Sequence, residues 1–141
     1  MTQEEKDLLL KDLCGRLPYG VKCYKITFKP ELAEEVICML RNGSHNCVQL
    51  GTFLYRLEHI KPYLFPLSSM TEEQKEEYNQ SRLKDLRMLN SVLMERISDE
   101  NNFDRLVVAH NEIDWLNKNH FDYRGLIPMG LANDATGLNI Y

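Results

Sequence analysis

The chain has 141 residues, 43% of them hydrophobic and 27% charged, a length for one domain and a composition that excludes disordered or collagen-like chains. No apolar run approaches the ~20 residues of a membrane span, and the charged opening Met1-Thr2-Gln3-Glu4-Glu5-Lys6 is not a signal peptide, so a cytoplasmic location is expected. A net charge of −4 and the lack of a basic run argue against nucleic acid as a partner.

Thr2 and Glu5 form a capping box, and Leu8, Leu9, Leu10, Leu13 and Cys14 follow at helical spacing. Gly15 and Pro18 then stop the helix, which is expected over about 3–14. The stretch Tyr19–Phe28 is rich in aromatic and β-branched residues and reads as a strand closed by Pro30. Val36–Leu40 and Cys47–Leu50 read as a hairpin turning at Asn42-Gly43, and Gly51–Arg56 adds a fourth strand after a break at Gly51. Residues 57–67 are expected to be a crossing segment in which Pro62 and Pro66 forbid a regular helix and the apolar residues tie the chain down onto the sheet.

Two overlapping capping boxes, Ser69 with Glu72 and Thr71 with Gln74, open a long helix to about Ile97. Its first half is almost wholly polar. Its second half places Leu83, Leu86, Leu89 or Asn90, Leu93 and Ile97 on one face. A polar connection, 99–102, leads to a helix over about 103–119 with Phe103, Leu106, Val107, His110, Ile113 and Leu116 on its apolar side. These two faces are expected to share a core.

The expected fold is therefore α+β: an N-terminal helix, an antiparallel meander of three or four strands, and a C-terminal antiparallel helical hairpin. Residues 1–67 hold the first helix and meander, 68–120 the hairpin and 121–141 an irregular tail, all within one domain.

Chemistry-bearing residues are sparse. The chain lacks a nucleophile elbow, a phosphate-binding glycine loop and an H-E-x-x-H motif, and nothing implies a cofactor. Cys14, Cys23, Cys38 and Cys47 include no C-x2-C pair; His45 with Cys38, Cys47 and Cys23 is the one cluster that could approach a metal, and buried free thiols are the preferred reading. His110 and Asp114 share a helix side four residues apart, without further ligands in view. Tyr63, Tyr78, Tyr123, Phe121 and Trp115 could stack on bases or sugars but lack interleaved basic residues.

The densest group is His120-Phe121-Asp122-Tyr123-Arg124. His120, Asp122, Tyr123 and Arg124 could form a recognition patch, with Arg124 for a carboxylate or phosphate. Alternatively they form an internal cap, Asp122 and Arg124 tying the chain end down while Phe121 and Tyr123 fill the core.

Several stretches carry a resemblance. They are Leu9–Cys14, Leu17–Val21, Ile60–Leu64, Pro66–Glu73, Asp114–Asn117 and His120–Ile127. Together they resemble a group of short uncharacterised proteins encoded by gut Bacteroidales, their phages and integrated elements. Pro128-Met129 and the tail Asn133–Thr136 depart from that group's usual form. The resemblance implies a phage or mobile-element context and no activity. The sequence thus leans away from an enzyme, towards an accessory protein that contacts a protein partner through the polar half of the long helix or the C-terminal segment. The alternative is a small enzyme or a binder of a small anionic ligand centred on His120–Arg124.

Overall fold

The computed structural model describes residues 1–26, 33–42, 45–95 and 103–141. They divide into two compact units. One joins Met1–Ser69 to His120–Tyr141, and the other is Met70–Asn119. No helix among the described residues is long and apolar enough to cross a membrane.

The first unit opens with α1, Gln3–Arg16, whose Thr2/Glu5 capping box is formed in both directions. The helix runs two residues past the expected end. It buries Leu9, Asp12, Leu13 and Arg16, the i, i+3, i+4, i+7 pattern of a single face. Cys14, placed on the apolar side by the sequence reading, is exposed. Pro18 opens a short 3-10 turn, Leu17–Tyr19, so the first strand begins late.

Six strands form one sheet: β1 Lys22–Lys25, β2 Glu34–Asn42, β3 His45–Leu50, β4 Phe53–Arg56, β5 Ile60–Leu64 and β6 Asn133–Asp134, in the order β4-β3-β2-β1-β5-β6. All pairings are antiparallel except β5 with β6. Asn42 pairs with His45, so residues 43 and 44, outside the described set, separate β2 from β3. Gly51 adopts the positive φ of 56° that a two-residue hairpin link needs, and Leu50 pairs with Phe53 across it.

The expected three or four strands are thus six among the described residues, for two reasons. Residues 60–64, expected to be part of a non-helical crossing segment and assigned no strand, are β5 and pair with β1. Pro62 is tolerated because β6 meets β5 only at Tyr63 and Leu64, leaving the strand an edge at the proline. The tail, expected to be irregular, supplies β6. The helical segment is accordingly not C-terminal in the fold, because the chain returns to the sheet after it.

The sheet must curl. Four strand spacings would separate β4 from β5 by about 19 Å if flat, yet the four chain steps from Arg56 to Ile60 reach at most ~14 Å. A β-bulge between Val36 and Cys38 adds local twist. The concave side and α1 enclose Leu9, Leu13, Val21, Cys23, Val48, Leu50, Leu57, Ile60 and Leu64, closed by Leu126, Leu131 and Ala132 from the returning chain.

The second unit contains α2, Glu72–Glu95, and α3, Phe103–Lys118. Thr71 and Gln74 exchange hydrogen bonds at the start of α2. The alternative box at Ser69 does not form, because its hydroxyl donates to the Pro66 carbonyl. Tyr78 hydrogen-bonds Glu112 and its ring lies 5.5 Å from that of Trp115. Two members of the expected shared core, Leu83 and Ile113, are instead exposed, the former by 51%. The stripe facing α3 runs through Tyr78, and Leu83 lies on the other side of the helix. Leu116 is buried as expected, and the remaining members, Leu86, Leu89, Leu93, Ile97, Phe103, Leu106, Val107 and His110, have side chains outside the described residues.

Leu13→Ala should lower stability by about 2–5 kcal/mol, the cost of a cavity in a closed core. Leu83→Ala should change it by no more than ~0.5 kcal/mol, as surface substitutions do. Urea denaturation of both variants checks the two assignments together.

Candidate functional site

The site is built on the polar half of the buried stripe of α1. Asp12 and Arg16, one turn apart, are both fully buried. The Arg16 guanidinium grips Asp12 with two hydrogen bonds, Nε to Oδ2 at 2.7 Å and Nη2 to Oδ1 at 3.0 Å. Nη2 also donates to the Phe121 carbonyl at 2.7 Å. Such forked pairing satisfies buried charges that would otherwise be costly to desolvate.

A second cation joins them. Arg124 Nε lies 3.2 Å from Asp12 Oδ1, close enough for charge attraction. The N–H is not aimed at that oxygen, so Nε is buried without a hydrogen bond. Two guanidinium groups against one carboxylate leave a surplus positive charge. The Tyr123 ring takes part of it: its centroid is 5.4 Å from the Arg16 guanidinium carbon and 4.7 Å from that of Arg124. Arg124 Nη2 also donates to the Tyr123 hydroxyl at 2.8 Å.

Asp122 does separate work. Its carboxylate accepts from the backbone N–H groups of Leu126 and Ile127, both at 2.8 Å, and so fixes the turn that follows. Its own N–H donates to the Phe65 carbonyl, while Phe65 N–H donates to the His120 carbonyl. These two bonds clamp the returning chain to the end of β5.

His120 ends α3 in the left-handed region, φ 58°, where glycine or asparagine is the usual residue. The imidazole stacks on the Tyr141 ring, centroids 3.7 Å apart and planes 11° from parallel. Burial, then the charges of Arg16 and Lys22, push its pKa down to about 4, against the pull of a hydrogen bond to the Tyr19 backbone. The imidazole is therefore a neutral donor towards Tyr19, and its Nδ1 is buried without a hydrogen-bond partner. Tyr141 in turn donates to the Tyr63 carbonyl and accepts from Lys22 N–H.

The four residues singled out from sequence are thus neighbours, and each has contacts inside the chain. His120 and Asp122 are buried, and Tyr123 and Arg124 are half-buried. Sequence reasoning missed Asp12, Arg16 and Tyr141. Asp12 and Arg16 carried a usable signal, since they complete the i, i+3, i+4, i+7 face begun by Leu9 and Leu13. Tyr141 carried none.

The other candidates are dispersed. Cys14, Cys23, Cys38 and Cys47 are free thiols, and burial with the nearby Asp12 charge raises the Cys23 pKa. The side chains of His45 and His110 lie outside the described residues. No group of three or more potential metal ligands occurs among the described residues. Tyr78 and Trp115 meet in the second unit, whereas Tyr63, Phe121 and Tyr123 belong to the first. A shallow depression of about 320 Å³ lies in the second unit, lined by Ser81, Lys84, Asn111, Asp114, Trp115 and Lys118.

Removing the carboxylate in Asp12→Ala leaves the buried Arg16 guanidinium without its counter-charge, beside the half-buried Arg124, and should lower stability by about 3–5 kcal/mol, measured by urea denaturation. A second expectation concerns pH. The unfolded chain protonates His120 near 6.5 and the folded chain only near 4. His120 thus adds no penalty above about pH 6.5, and stability falls as pH drops from there towards 4. His120→Asn tolerates the same backbone conformation without titrating. Its urea midpoint should fall less steeply over that window than that of the wild type.

Comparison of the chain with protein-family models, curated proteins and solved structures finds no match in any of the three.

Proposed function

We propose that this is a non-catalytic accessory protein that acts by contact with a protein partner seated on the first half of α2. The observation that carries this reading is the exposure of that half. From Glu72 to Lys84 no residue is buried, and only Gln74, Tyr78 and Ser81 are half-covered. Those three follow i, i+4, i+7 spacing, so a single narrow stripe is in use within its own unit. Glu72, Glu73, Glu76 and Leu83 lie around the other side by helical geometry, an apolar side chain among carboxylates. That combination suits a partner surface with a basic rim and an apolar pocket. The resemblance to proteins of gut Bacteroidales and their phages supplies the context, a phage or other mobile element acting inside its host's cytoplasm.

A second reading, a binder of a small anionic ligand at His120–Arg124, has one observation in its favour. Arg124 Nε and His120 Nδ1 are both buried without hydrogen bonds.

Affinity capture from a Bacteroidales host lysate, using the intact chain and its Glu73→Lys/Glu76→Lys variant, separates the readings. A partner held by the wild type and lost from the variant, at least ~10-fold by quantitative mass spectrometry, is the expected result. Capture that is indifferent to the charge reversal overturns the helix assignment. Phosphate or acetate binding by the wild type that disappears in Arg124→Gln would support the ligand reading instead.

A further inference from the structure

The two edges of the sheet are finished differently. At one edge, β5 is sealed by β6 along Tyr63 and Leu64 and by the Phe65–Phe121 bridge, and Pro62 offers no N–H. At the other edge, β4 pairs with β3 on its inner side and with no other strand among the described residues.

This open edge is apolar on both faces. The concave row Val36–Leu50–Phe53 runs from 3% and 0% exposure to 64% at the edge. The core pattern therefore continues to the edge strand, where the Lys25 ammonium lies 4.9 Å from the Tyr55 ring centroid and Phe53 is left exposed. On the convex face Leu54, opposite Gln49, is 47% exposed. Bare edges are normally blunted by lysine, proline or a bulge. Phe53-Leu54-Tyr55-Arg56 has one charge, at its end, and that charge sits 3.9 Å from Glu58.

Its own sequence supplies a match. Two antiparallel β4 strands related by a twofold axis normal to the sheet must place same-face residues opposite each other, so the axis passes midway between the two copies of one residue. Centred on Leu54, it sets Leu54 against Leu54 on the convex face. On the concave face it sets Phe53 of each copy against Tyr55 of the other, twice over. Aromatic cross-strand pairs are among the favourable ones in antiparallel sheets. Centred on Tyr55, it would set Leu54 against Arg56 and Phe53 against the buried Leu57. The Leu54 centre is the one with matched neighbours. Because the β5 edge is sealed, pairing of β4 with β5 of another copy is blocked, and association closes at two copies.

We propose that β4 pairs antiparallel with β4 of a second copy about a twofold axis at Leu54, joining the two sheets edge to edge. The contact is short, at the low end of interface sizes, so the dimer is weak and depends on concentration.

Sedimentation velocity on the intact chain tests this between ~5 and ~500 µM, the range suited to a small interface. The wild type should pass from monomer towards dimer. Leu54→Lys and Leu54→Glu each place like charges opposite one another and should remain monomeric, with far-UV circular dichroism showing the wild-type fold. An equimolar mixture of the two should regain the dimer, because opposite charges then face across the axis. A wild type that is monomeric throughout overturns the proposal and leaves the edge to a partner of another kind. So does a dimer that survives both substitutions, or a mixture that fails to regain it.

Discussion

The fold depends on how the first helix disposes of two buried charges. Asp12 and Arg16 satisfy one another, but a lone pair in the interior still leaves guanidinium protons and carboxylate lone pairs unmet. The missing partners come from far along the chain. Phe121 offers its carbonyl 105 residues after Arg16, and Arg124 adds a second cation at Asp12. Such a pairing exists only if the chain returns to the first helix after the helical unit. The discontinuity of the first unit, Met1–Ser69 with His120–Tyr141, follows from this requirement. So does the placement of aromatic rings around it. Tyr123 lies beside both guanidinium groups and Phe121 beside Phe65, so the returning strand of charge is lined by hydrophobic surface.

The same return completes the sheet. Asn133 and Asp134 extend it beyond β5, and Tyr141 bridges the Tyr63 carbonyl and the Lys22 N–H across two strands. One edge of the curled sheet is thereby closed with material from the chain's own end. The opposite edge receives no such cover among the described residues, and its exposed apolar side chains lie where the core rows run out. The asymmetry gives the molecule one sheet edge that is finished and one that can accept a strand.

A segment dense in reactive side chains need not be a reactive site. His120, Asp122, Tyr123 and Arg124 include every group needed for acid–base work or anion binding. In the fold, Asp122 holds two backbone amides, Arg124 neighbours a buried carboxylate, and the His120 imidazole is kept neutral between a tyrosine ring and a carbonyl. Polar groups gathered where a chain turns back into a core have structural duties first. The first half of α2 is the reverse case: ordinary surface side chains along more of the helix than its own unit uses.

Local rules account for what could be read from the sequence. The capping box at Thr2, the strand pair around residues 36–50, the break at Gly51 and one of the two capping boxes offered for α2, that at Thr71, depend on neighbours within a few residues, and the structure holds each of them. Local contacts also made His120–Arg124 visible as a unit. What lay beyond the sequence depended on partners remote in the chain. Residues 60–64 are a strand because β1 lies beside them, against the local bias of Pro62. The tail is a strand because β5 offers an edge. Asp12 and Arg16 are buried because Phe121 and Arg124 meet them there, a pairing that no pattern within fourteen residues of helix encodes. Periodicity assigned α1 a face of Leu8, Leu9, Leu10, Leu13 and Cys14, while the tertiary structure turned the buried face onto Asp12 and Arg16 and left Cys14 exposed, since a charge enters a core only where distant groups compensate it.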